Sequence, residues 1–385
     1  MKNNEIVSYE LVEWFQNYKR DMPWRMSKDP YKIWLSEIIL QQTQVIQGTP
    51  YYLKFIECFP TVHHLARASE EEVLRLWQGL GYYSRARNLL HTAQFVHTHL
   101  KGVFPDSYKG LLELKGIGEY TAAAIASISY NEAVAVVDGN VNRVISRLFQ
   151  IGALQNEGKT IIKKLAIELL NKSKPADHNQ AMMELGSLIC KPKNPKCTIC
   201  PISVHCMAYR DNLIQNFPPK LIKKTQRVRY FNFIVPLMNT GKVFLTKRTD
   251  NDIWKNMHTF PLIESNEELE HNALFIEVGK VFGNFEVLNI TTFKHILSHQ
   301  ILKATFYMIK LETHSKIQIL NEPLNTSPLF ALNPTSLNFV GATFKKNNIF
   351  EVEIKRLREQ YSLPRIITKY MENKEISAFL SSLCL

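Results

Sequence analysis

The chain has 385 residues, 45% of them hydrophobic, with 15 glycines, 17 prolines and 47 Lys and Arg against 35 Asp and Glu, a formal charge of +12. This length predicts about two domains, and the composition excludes collagenous, low-complexity and disordered classes. The cationic excess favours a polyanionic partner, because neutralising phosphates releases condensed counterions, but charge alone selects none in particular.

At the amino terminus Glu5 and Glu10 stand where a signal peptide would carry its apolar core, so export is not expected. No uncharged apolar run reaches the roughly 18 residues of a membrane span. Cys58 and Cys384 make no obvious pair, which fits a reducing cytoplasm. Residues 7–210 read as mostly helical, with apolar positions at helical spacing in 89–99 and 161–170 and turn signals at Phe59-Pro60-Thr61 and Phe104-Pro105-Asp106.

Asp29-Pro30 opens one of these helices, Asp as N-cap and Pro where its missing N–H costs nothing. The pattern continues to Thr43. Glu37 follows Ile33 by four and Trp34 by three and precedes Leu40 by three, which sets its carboxylate beside an apolar stripe. Two readings stand: a desolvated carboxyl held protonated as a general acid, or a glutamate at the stripe's edge with its head in water.

Leu114-Lys115-Gly116-Ile117-Gly118-Glu119-Tyr120 precedes a small-residue helix. It reads either as a plain turn or as a hairpin whose Gly116 and Gly118 let backbone N–H groups approach a phosphate. With residues 107–113 as a first helix, it matches a helix-hairpin-helix. No strand precedes it, so it is not a dinucleotide fingerprint. Asp138, in Val137-Asp138-Gly139-Asn140, is either the N-cap of the next helix or a catalytic carboxylate.

Four cysteines fall in one window as Cys190-x6-Cys197-x2-Cys200-x5-Cys206. Four thiolates so placed can close around a [4Fe-4S] cluster. A zinc site competes but usually has two short Cys-x2-4-Cys arms, and here only Cys197 and Cys200 form one. Beyond them, Pro218-Pro219-Lys220 and Lys223-Lys224 mark a linker over 211–228, after which short aromatic and β-branched runs (230–235, 243–246, 301–309) read as strands. The expected architecture is a mainly α domain over 1–210 and a smaller α+β domain over 229–385. No internal repeat is visible.

In order, Pro23-Trp24-Arg25, Trp34-Leu35-Ser36-Glu37, Leu40-Gln41-Gln42-Thr43-Gln44-Val45, Gln78-Gly79-Leu80-Gly81-Tyr82-Tyr83-Ser84-Arg85, Val137-Asp138-Gly139-Asn140-Val141-Asn142-Arg143 and Asn179-Gln180-Ala181-Met182-Met183-Glu184-Leu185-Gly186 lead into the cysteines. This series resembles the helix-hairpin-helix DNA glycosylase superfamily, and within it the MutY-type adenine glycosylases, over almost all of the first 210 residues. The resemblance implies a monomeric, bacterial, cytoplasmic repair enzyme with a [4Fe-4S] cluster on the four cysteines. Its partner would be duplex DNA carrying adenine opposite 8-oxoguanine or guanine. Adenine would be flipped into a pocket lined by Glu37, Arg25 and Tyr120. Glu37 would protonate N7, Asp138 would stabilise the sugar cation electrostatically or through a transient covalent bond, water would complete the hydrolysis, and Asn140 and Tyr120 would position the groups. Gln42, Leu80 and Tyr82 would fill the gap in the stack and contact the opposite base, and Lys191, Lys193 and Lys196 would lie along the phosphate backbone. The related bifunctional enzymes carry a lysine where this chain has Tyr120, so base excision without efficient strand cleavage is implied; Lys115 or Lys32 would be the source of any weak lyase activity.

Residues 229–385 resemble the Nudix-like C-terminal domain of the same family through 254–261 and Thr292-Phe293-Lys294-His295-Ile296-Leu297-Ser298-His299. The magnesium-binding Nudix pattern is absent, which argues against pyrophosphohydrolase chemistry. Ser298 and His299 occupy the positions of a loop that senses 8-oxoguanine, with Leu297 in place of the family's Phe. Away from that context a Ser-His pair is ordinary surface.

Overall fold

The computed structural model describes residues 3–152, 156–219, 225–312, 339–342 and 349–382. It divides into two compact units, residues 1–68 with 84–223 and residues 69–83 with 224–385. In chain order the helices up to the cysteines are α1 (Asn3–Tyr18), α2 (Pro30–Leu40), α3 (Val45–Cys58), α4 (Val62–Arg67), α5 (Glu70–Leu76), α6 (Ser84–His99), α7 (Tyr108–Leu112), α8 (Glu119–Tyr130), α9 (Gly139–Leu148), α10 (Asn156–Leu169) and α11 (Pro175–Leu188), followed by the short α12 (Met207–Arg210). Of these, α5 belongs to the second unit. Among the described residues no helix is long and apolar enough to cross a membrane.

Local sequence explains how the first unit's helices start and stop. Asp29 caps α2 by accepting a 2.9 Å bond from the Tyr31 N–H, with Pro30 at the first helical position. The helix ends at Leu40, three residues before the expected Thr43. Gln42 takes a left-handed φ of 55° there, and Arg85 Nη1 donates to the carbonyls of Ile38, Ile39 and Gln41, satisfying the free end of the helix from another element. The helix-hairpin-helix is α7 and α8. Ser107 caps α7 through the Gly110 N–H, and Gly116 turns the chain at φ 80°, where a Cβ would meet Asn88 Cβ at 2.8 Å. Only glycine fits that turn without strain. Ala122 to Ala126 are all buried, so α8 packs closely against α2, α7 and α11.

Among the described residues the second unit holds an eight-stranded sheet. Its strands are β1 (Arg227–Leu237), β2 (Lys242–Lys247), β3 (His258–Thr259), β4 (Leu262–Ser265), β5 (Phe285–Ile296), β6 (Gln300–Leu311), β7 (Phe339–Ala342) and β8 (Ile349–Glu353), with α13 (His271–Phe282), α14 (Leu357–Gln360), α15 (Arg365–Met371) and α16 (Lys374–Ser382). β1 begins at Arg227, inside the stretch read as linker, because it pairs in parallel with β6 from Arg227–Gln300 to Leu237–Lys310. Antiparallel neighbours β4 and β2 complete its surroundings. Residues 69–83 join this unit through long-range bonds: Arg75 Nη1 to Glu359 O at 2.6 Å, Asn256 Nδ2 to Glu70 Oε1 at 2.8 Å, and the Ser362 N–H to the Glu71 carboxylate.

Candidate active site

Glu37 lies on the buried face of α2 with Ile33, Trp34 and Ile38, and is itself only 8% exposed. Of the two readings of its helix, the desolvated one describes its surroundings. Tyr120, at the start of α8, donates its hydroxyl to Glu37 Oε2 at 2.5 Å. Burial pushes the Glu37 carboxyl up to about 7, with Asp138 adding to the rise and the Tyr120 bond and Arg25 opposing it. One carboxyl oxygen is thereby occupied, and the other is free to carry a proton.

Asp138 is the N-cap of α9, as one of its two readings has it, and it also lines the same cavity as Glu37. Its Oδ1 accepts from the Val141 N–H at 2.7 Å and its Oδ2 from Asn140 Nδ2 at 2.8 Å. Burial raises its pKa, while these bonds and Arg143 act against the rise. The extended segment before it is pinned by Asn179 of α11, which accepts from the Val136 N–H and donates to Val134 O.

Glu37, Tyr120, Asp138, Asn140 and Arg25 together line a cavity of about 480 Å³. Arg25 is steered rather than free: Glu184 Oε2 holds its Nη2 at 3.1 Å and Gln180 Oε1 its Nε at 3.1 Å, with the guanidinium 5.0 Å from the Phe15 ring centroid. Glu184 also binds Arg20 bidentately at 2.8 Å. Burial alone would raise the Glu184 carboxyl, but the bonds from Arg20 and Arg25 bring it down to about 2. Reading the chain by segments did not single out Glu184, Gln180 or Met183; their only signal was the Gln180-Ala181-Met182-Met183-Glu184 string, and the cavity gives it meaning. Lys32 and Lys115 do not line this cavity.

α9 connects Asp138 to the cysteine loop. Arg143 donates to Asn140 Oδ1, Gly186 O and Cys190 O, and one turn later Arg147 donates to Lys191 O and Cys190 Sγ. Cys190, Cys197, Cys200 and Cys206 are half-buried and free of disulfides. Burial, and then the other three thiols, push Cys200 up to about 12. The other three thiols lie close enough to Cys200 to raise its pKa electrostatically. Among the described residues no group of three or more Cys, His, Asp or Glu is gathered tightly enough to hold a metal ion. Lys191, Lys193 and Lys196 are exposed on the same loop.

In the first unit, Gln42, Gly116 and Gly118 do not line this cavity. Gly116 and Gly118 form the hairpin turn, and at Gly118 a Cβ would meet nothing within 4 Å, leaving the backbone open to approach. Gln42 is exposed on the turn after α2. In the second unit Leu80 is buried at 7% and Tyr82 is 42% exposed, so of the two Tyr82 is the side chain presented to solvent. The hydroxyls of Tyr82 and Ser298 are hydrogen-bonded. His299 sits in the turn between β5 and β6, its carbonyl accepting from the Arg227 N–H.

A buried carboxyl raised towards neutrality and a second carboxylate fixed as a helix cap line one cavity in the unit that carries the helix-hairpin-helix, an arrangement that suits base excision by an N-glycosylase. Residues 35–172 match the HhH-GPD superfamily base excision DNA repair protein family, and residues 233–373 match the NUDIX domain. The chain is 36% identical over 325 residues to the adenine DNA glycosylase of Buchnera aphidicola subsp. Acyrthosiphon pisum, covering 81% of this chain and 91% of that one. It is 43% identical over 377 residues to the adenine DNA glycosylase of Homo sapiens, covering 81% of this chain and 69% of that one. A thermostable thymine-DNA glycosylase superposes with a TM-score of 0.51 at 30% identity, over 55% of this chain and 98% of that one. The chain belongs to the adenine DNA glycosylase family of the HhH-GPD superfamily.

Proposed function

We propose that this protein is a monofunctional glycosylase that releases adenine paired with 8-oxoguanine, or with guanine, from duplex DNA, as a monomer in the bacterial cytoplasm. The observation that carries the proposal is the Tyr120–Glu37 hydrogen bond inside the cavity that Asp138 also lines. An extruded adenine enters this cavity, and Glu37, holding its proton near neutral pH, passes it to N7. Protonation makes the base a better leaving group. As the glycosidic bond breaks, C1′ becomes cationic, and the Asp138 carboxylate, held by Val141 and Asn140, stabilises it without reorganising. Water adds to C1′ and loses its proton, which leaves free adenine and an abasic site.

Gln42 and Tyr82 are exposed and suited to replacing the lost base stack, and Ser298 and His299 carry hydrogen-bonding groups for the opposite base. Cys190, Cys197, Cys200 and Cys206 would hold a [4Fe-4S] cluster, whose role is to brace the loop of Lys191, Lys193 and Lys196 for phosphate contact rather than to take part in hydrolysis.

The test uses anaerobically handled protein and a duplex with a single 8-oxoguanine:adenine pair. Adenine release with strand breaks only after alkali is the expected result. Binding without release would make the protein a lesion-recognition factor, and breaks without alkali, with efficient borohydride trapping, would make it a lyase.

A further inference from the structure

Tyr120 and Asp138 each face two cavities. The first contains Glu37; the second, about 420 Å³, lies on the α10 side and is lined by Lys159, Lys163, Glu119, Asn142 and Gly139. Lys159 and Lys163 are exposed and four residues apart on α10, so they project from one helical face. Lys163 Nζ lies 3.1 Å from Glu119 Oε1, with the two side chains 52% and 71% exposed. An ion pair this open contributes little to stability, and a stronger anion can displace the carboxylate. At Gly139 a Cβ would meet nothing within 4 Å, so the backbone next to Asp138 is open on this side.

From this arrangement we infer that the second cavity receives a phosphate flanking the extruded nucleotide, gripped by Lys159 and Lys163, with Glu119 as the ligand it displaces. The inference rests on the glycosylase reading above. In that reading the base fills the Glu37 cavity and C1′ sits at Asp138. The phosphates esterified to the 3′ and 5′ oxygens of the same sugar must then leave away from the base. A cavity that begins at Asp138 and carries Lys159 and Lys163 on its far wall, their charge balanced by Glu119 and Asp138 until an anion enters, meets one of them. Glu119 keeps Lys163 neutralised until that phosphate arrives, which weakens binding to DNA whose nucleotide has not been extruded.

The experiment measures Kd against salt for wild type, K159A/K163A and E119Q. The duplex carries 2′-fluoro-2′-deoxyadenosine, which resists glycosidic cleavage, opposite 8-oxoguanine, and is prepared with and without a neutral methylphosphonate at each phosphate flanking the target. K159A/K163A is expected to bind about five- to tenfold more weakly, with a salt slope smaller by about 0.9, the share of one phosphate. E119Q binds more tightly than wild type. A methylphosphonate at one flanking position weakens wild type by the same factor as K159A/K163A and does not weaken that variant further. An unchanged salt slope, or a methylphosphonate penalty that persists in the double variant, overturns the site. Adenine release by wild type from the natural pair is scored separately: its absence alongside the phosphate coupling removes the adenine assignment but keeps the site, and its presence without the coupling removes the site alone.

Discussion

The Tyr120 hydroxyl donates to Glu37 Oε2 at 2.5 Å across 83 positions of sequence. The bond fixes the carboxyl's orientation and opposes the rise in pKa that burial imposes, leaving Glu37 at about 7. Its protonated form is the one that donates, so single-turnover adenine release should be level below about pH 7 and fall tenfold per pH unit above it. Glu37→Gln should lower release by about 10²–10⁴ with duplex binding retained. Substantial residual turnover would end the general-acid assignment.

Tyr120→Phe removes a bond that favours the charged form of Glu37. The carboxyl then holds its proton to higher pH, so the alkaline limb of the rate profile should move upward while the plateau falls, by about tenfold, as the orientation is lost. A limb that stays in place would show that another group sets it.

Asp138→Asn separates capping from catalysis. Asparagine is as good an N-cap as aspartate and can still accept from the Val141 N–H that Asp138 Oδ1 binds, so thermal unfolding should shift by no more than about 2 °C. Release should fall by about 10³, since the charge facing C1′ is gone. Comparable loss of fold and activity would return Asp138 to a purely structural role.

Glu184, 2% exposed, neutralises Arg20 and Arg25. Its folded pKa of about 2 lies below the ordinary 4.5, so its contribution to stability is complete above about pH 4.5 and is lost as pH falls from there towards 2. Glu184→Gln should cost about 2–3 kcal/mol in urea unfolding at pH 7, and the deficit should shrink at pH 3. A deficit independent of pH would mean that packing, not charge, is what the residue supplies.

Gly186 lets α11 approach Asn140 closely: a Cβ there would stand 2.5 Å from Asn140 Cβ and 3.1 Å from its backbone. Gly186→Ala should destabilise the fold by about 1–3 kcal/mol and slow adenine release further by moving the amide that binds Asp138. A variant with full activity and unchanged unfolding would show that α9 shifts freely.

Features that depend on neighbouring residues were legible in the sequence. The Asp29-Pro30 helix start, the Gly116 turn and the N-cap at Asp138 each follow from steric and hydrogen-bonding demands within a few residues. The tertiary structure decided the rest. Solvation of Glu37 could not be read from its own helix, because Tyr120 and Asp138 reach it from α8 and from the start of α9. Likewise α2 stops at Leu40 because Arg85, on α6, takes up its last carbonyls. Segment 69–83 joins the second unit through side chains that bind backbone groups nearly 300 positions away, such as Arg75 to Glu359. Short-range chemistry is written in adjacent residues; burial and charge coupling exist only once distant segments exclude water together.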